Sequence, residues 1–189
     1  MRTDEEVWLD DYDMRRKRFI YDRRTHYSYV FTAAQEIYTV IVGHFSDAHE
    51  FTAAGYRMPD GVAFPLQGMA EVCFDIFDGV GCPTDFRHVQ FYGLGSAAVL
   101  QTVALTLLAH IEKFGIGGFV FQAASRAVAE AGRKISLEDT YEYILGLKNE
   151  LRYNPRTRLP KKQPRKLLPN PLRAYKVVNE GRACYVVLQ

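Results

Sequence analysis

Gln90-Phe91-Tyr92-Gly93-Leu94-Gly95 follows a strand-like run, Phe86 to Tyr92, and opens a long apolar stretch, Ser96 to Phe114. Glycines let the backbone turn tightly and approach a ligand closely. The first N–H groups of the helix that follows have no partner inside the helix, and the positive end of its dipole stands behind them. A strand, a glycine turn and a helix in that order make a site for a phosphate or pyrophosphate.

Working outward, Ser96 to Phe114 is apolar almost all round, the pattern of a helix buried on most sides. Gly115, Gly117 and Gly118 end it, and Phe119-Val120-Phe121 suits a short buried strand. Ala123 to Lys134 reads as a helix, and Ser136 caps another with Asp139 as its capping-box partner. In that second helix Leu137, Tyr141, Ile144, Lys148 and Leu151 share a stripe, with Tyr143 to its side.

On the N-terminal side, Tyr27 to Thr32 and Ile37 to Val42 are rich in β-branched and aromatic residues and read as an antiparallel hairpin. Residues 46–68 hold Gly55, Pro59, Gly61, Pro65 and Gly68 and read as loop. Ala70 to Phe77 alternates: Ala70, Val72, Phe74 and Ile76 face one way, Glu71, Cys73, Asp75 and Phe77 the other. Residues 1–24 are charge-dense and read as a surface helix or docking arm.

The end of the chain changes character. Residues 152–173 carry Arg152, Arg156, Arg158, Lys161, Lys162, Arg165, Lys166 and Arg173 with no acid, and their prolines prevent regular structure. Tyr175 to Val178 and Ala183 to Leu188 then form a closing hairpin around Asn179-Glu180-Gly181. The sum is an α/β protein with a mixed, mostly antiparallel sheet, one strand–helix–strand crossover and a C-terminal hairpin. Residues 25–189 read as a single domain, with 1–24 as its arm and 152–173 as a basic insertion.

At 189 residues the chain supports one well-buried domain. The net charge of +2 is uninformative; the late clustering of its cations is not. Cys73, Cys82 and Cys184 have no zinc-ligand spacing and are odd in number, which implies free thiols in a reducing compartment. No signal peptide is visible, and the most apolar run, Ala97 to Ile111, is too short to span a bilayer. The expectation is a soluble, cytoplasmic protein without a membrane partner and without a metal site.

The element order, with Gln90-x-x-Gly93-x-Gly95 after the fourth strand, resembles the GNAT family of N-acetyltransferases. The chain is similar to small GNAT-like proteins encoded by bacteriophages, over about residues 26–188, through Tyr29-Val-Phe-Thr with Ile37-Tyr-Thr-Val, Gly93-Leu-Gly-Ser with Thr102-Val, Phe119 to Arg126 with Thr140-Tyr141, and the final hairpin. It departs in the long connection from Ala127 to Thr140 and in the basic segment before the last hairpin. The resemblance implies an acetyl-CoA-dependent N-acyltransferase in the cytoplasm of a host bacterium, its acceptor unspecified.

In such an enzyme the backbone N–H groups of Gly93, Gly95 and Ser96 would hold the pyrophosphate of acetyl-CoA, with Gln90 at the mouth of the loop. Tyr141 would be the general acid, giving its phenolic proton to the coenzyme A sulfur; as a residue it equally suits a core stripe. Glu71, Asp75 and His88 are the candidate bases, though strand carboxylates are commonly just solvated. Cys73 reads as a packed thiol, and His110 as structural.

A competing expectation is a non-catalytic GNAT-like module. Arg156, Arg158, Lys161, Lys162, Arg165 and Lys166 would contact the phosphates of a nucleic acid, or dock a host protein, with Tyr153 and Tyr175 placed to stack on bases. The charged arm offers a further docking surface for a host factor. Oligomeric state is not legible, although the last hairpin leaves an edge strand able to pair between subunits.

Overall fold

A computed structural model describes residues 6–9, 14–21, 23–33, 36–76, 94–122, 137–147, 172–179 and 182–189. Its strands are β1 (Glu6–Leu9), β2 (Met14–Tyr21), β3 (Arg24–Ala33), β4 (Glu36–Phe45), β5 (Met69–Ile76), β6 (Gly118–Gln122), β7 (Arg173–Asn179) and β8 (Arg182–Leu188). The helices are α1 (Ala48–Ala53), α2 (Leu94–Phe114) and α3 (Leu137–Ile144). The strands form one mixed sheet of eight in the order β1-β2-β3-β4-β5-β6-β8-β7.

The first five strands are an antiparallel meander. Alternation sets its register. Tyr27, Tyr29 and Phe31 on β3 stand opposite Val42, Val40 and Tyr38 on β4, so the apolar sets of both strands share one face. Where the sequence suggested a surface helix or docking arm in residues 1–24, Glu6–Leu9 and Met14–Tyr21 are strands rather than helix. Tyr21 pairs with Arg24 across a tight turn in which Arg23 takes a φ of 62°. The charge density hid the β character of Arg18-Phe19-Ile20-Tyr21, which needs only a neighbouring strand to pair with.

The loop expected over 46–68 contains α1. Asp47 caps it, its side chain accepting from the Glu50 N–H at 2.8 Å, and Phe51 is the apolar residue that anchors it.

After β5 the sheet changes. β6 runs parallel to β5, with α2 as the crossover, and antiparallel to β8; β8 is antiparallel to β7. β7 therefore runs parallel to β6, and the connection through α3 is a second crossover where the sequence suggested one. Both helices lie on the same face, as a single handedness for both connections requires. Gly115 ends α2 at φ 62°, its N–H bonded to the Ile111 carbonyl at 2.8 Å. At Gly118 a Cβ would stand 2.2 Å from the Val187 carbonyl oxygen, so only glycine lets β6 enter beside β8.

The core has two layers. On the helix face, Tyr29, Val40, Val42, Val72, Phe119, Tyr185 and Val187 pack with Val99, Val103, Leu107 and Ile111 of α2 and with Tyr141 and Leu145. On the other face, Phe45, Met69, Val120 and Val186 pack under Phe51 and Tyr56. α2 is less enclosed than its composition suggested: Gln101, Leu105, Ala109 and Glu112 form an exposed stripe. The segments 86–92, 123–134 and most of 152–173 lie outside the described residues.

Candidate active site

β5 and β6 ladder only through Ala70–Phe119 and Glu71–Val120. β5 continues to Ile76 while held by β4, with Ile76 opposite Tyr38. β6 continues to Gln122 while held by β8, with Gln122 opposite Cys184. The two parallel strands thus part company at their carboxyl ends, which is where open α/β sheets bind ligands.

An apolar pocket of about 60 Å³ lies at this parting. Val72 and Phe74 line it from one strand, Phe119 and Phe121 from the other. Leu100, Val103, Ala104 and Leu107 close it from α2, and Tyr141, Ile144 and Leu145 from α3 and the residue after it. The direction of α2 follows from its contacts. His110 and Phe114 meet His44, which is paired with Ala70, whereas Leu100 and Val103 share the pocket with Phe74. The helix therefore begins at the parted end, and Gly95 and Ser96, in its first turn, present their backbone N–H groups there.

Tyr141 is buried against Phe121, ring centroids 5.1 Å apart, and Tyr185, 5.7 Å apart. Its helix is tied to the sheet by Lys176, whose ammonium bonds the Glu142 carboxylate at 2.6 Å and also Glu138. Glu142 is buried, so this cation offsets a charge that would otherwise be costly to bury. Hydrogen bonds to Glu138 and then Glu142 hold the Lys176 ammonium above its ordinary pKa. The Tyr185 hydroxyl donates to the Glu138 carbonyl at 3.3 Å.

Glu71 belongs to the opposite face. It accepts from Arg24 Nη2 at 3.1 Å and from the Tyr56 hydroxyl at 2.6 Å, and the Arg24 guanidinium lies 4.4 Å from the centre of the Phe45 ring. Burial, then Glu71, raises the Tyr56 phenol. Burial, then Glu71, pushes the Cys73 thiol up to about 12, which agrees with a packed rather than nucleophilic thiol.

A third cluster lies under the far end of α2. Buried His110 bonds Tyr29 through Nδ1 at 2.5 Å and His44 through Nε2 at 2.6 Å. One proton order runs from the Tyr29 hydroxyl through His110 to His44, and its mirror runs back. Burial, then His26 and Arg18, lowers His44 to about 4, so at neutral pH it is an uncharged imidazole.

Of the residues expected from sequence, the structure puts Tyr141 in the pocket lining and Gly95 and Ser96 in the first turn of α2, and sets Glu71 apart. Asp75 has the strand parity of Glu71. His88, Gln90, Gly93 and Arg156, Arg158, Lys161, Lys162, Arg165 and Lys166 lie outside the described residues. Sequence reading missed the His44–His110–Tyr29 chain and the Lys176–Glu142 tie, because neither pairing leaves a spacing signal. Among the described residues no group of three or more His, Cys, Asp or Glu is placed to hold a metal, and no helix is long and apolar enough to cross a membrane. Compared with family models, curated proteins and solved structures, the chain matches none.

Proposed function

We propose that the protein is a coenzyme A-thioester-dependent N-acyltransferase, with acetyl-CoA the simplest donor, built on a GNAT-like fold such as bacteriophages encode. The observation that carries this reading is the apolar pocket at the parted ends of β5 and β6, with Tyr141 in its wall and the start of α2 at the same end. A thioester arm laid along the parting would put its pyrophosphate at the N–H groups of Gly95 and Ser96 and its carbonyl near Tyr141, and the resemblance adds Gln90 and Gly93 to that set.

The reaction needs a neutral acceptor amine held against the thioester carbonyl. The amine nitrogen bonds the carbonyl carbon, the carbon–sulfur bond breaks, and Tyr141 gives its phenolic proton to the departing thiolate. The ammonium proton passes to a base or to water. Glu71 already accepts from Arg24 and Tyr56, and Asp75 shares its strand parity away from the pocket, so this reading prefers His88 or water. The alternative, a nucleic-acid- or host-protein-binding module, rests on the basic segment 152–173.

Calorimetric titration with acetyl-CoA tests the proposal. Micromolar binding, lost in Gly95→Glu, supports it. Tyr141→Phe should then keep the affinity and lose turnover by roughly 10²-fold or more in a screen of amine acceptors. A wild-type protein that binds neither coenzyme A nor its thioesters sinks the enzyme reading.

A further inference from the structure

We propose that the pocket is a compartment for an acyl chain of roughly four to six carbons, so that the preferred thioester carries a longer hydrocarbon group than acetyl. The inference rests on the acyl-transfer reading and specifies its donor. Three observations lead to it.

Among the described residues the lining is hydrocarbon or aromatic, and the Tyr141 hydroxyl is the one polar group those side chains carry. Water needs polar partners to stay in such a space, so the pocket favours an apolar occupant. Its size is the second observation. At about 60 Å³ it exceeds the roughly 10–15 Å³ that one water needs, leaving room for about four to six groups the size of a methylene. An acetyl methyl would fill a small part of it.

The third observation is how α2 shapes the space. Leu100, Val103 and Leu107 stand at the pocket, and Ala104 lies between them with no side chain beyond Cβ. A larger residue at Ala104 would project into the volume. Each methylene buried there should tighten binding by about fourfold.

The test titrates the full chain with coenzyme A, acetyl-CoA, butanoyl-CoA and hexanoyl-CoA. The expected result is a ladder, with butanoyl-CoA at least about tenfold tighter than acetyl-CoA. Ala104→Leu should flatten that ladder, with hexanoyl-CoA and butanoyl-CoA losing more affinity than acetyl-CoA; if that variant fails to fold, Ala104→Val should shorten it. Equal affinity for every chain length overturns this inference and leaves acyl transfer standing. If no thioester binds, transfer falls, and hexanol followed by methyl NMR decides the pocket. Saturable shifts at Val72, Val103 and Leu107 keep it as an alkyl site; their absence overturns it.

Discussion

The two faces of β5 make opposite environments from alternate residues of one strand. Val72 and Phe74 open onto an apolar pocket under two helices. Glu71 and Cys73 face a closed polar cluster in which carboxylate, guanidinium and phenol are bound to one another. The strand's own polar groups are on the side where they are bound to one another, and its apolar side has the room. The carboxylates of β5 taken alone point to the first of these faces less than to the second, whereas the proposed site uses the first.

Breaking the sealed side should give the largest effect. Glu71→Ala leaves Arg24 and Tyr56 without their shared acceptor in a mostly buried setting, and should cost about 3 kcal/mol in urea unfolding. A loss near zero would mean that the cluster is solvated and the two faces are alike.

A second effect separates the histidine chain under α2 from the pocket it adjoins. His44 titrates near 4 when folded and near 6.5 when unfolded, so between those values the unfolded chain binds more protons. Stability should be full above pH 6.5, fall as pH drops, and level off below about 4. His44→Gln should flatten that slope in thermal melts across the window. An unchanged slope would assign the acid sensitivity to other groups.

The smallest effect is chemical. With its thiol pushed up to about 12, Cys73 should resist iodoacetamide at pH 8 in the native protein and react once unfolded, read by peptide mass. Rapid native alkylation would show that the polar face is open.

What was legible in the sequence follows the strength of its periodicity. Tyr27–Thr32 with Ile37–Val42, and Tyr175–Val178 with Ala183–Leu188, are rich in β-branched and aromatic residues and pair as read. Arg15 to Arg18 masked a strand, because side-chain charge says little about a backbone that has a partner to ladder with. The second crossover was hidden because β8 inserts between β6 and β7, a long-range pairing that no local pattern encodes. Tyr141 could be found on its stripe; the engagement of Glu71 by Arg24 could not, since it depends on two strands lying on either side of β4.

The short seam between β5 and β6 also bears on how the chain assembles. Strands β2 to β5 each pair with the strand before, so that half can close through contacts local in sequence. The other half needs β6 to find β8 from far along the chain before β7 and α3 can settle. The pocket is lined from both halves and from α2, which bridges their short seam, so it exists only where the two halves have met.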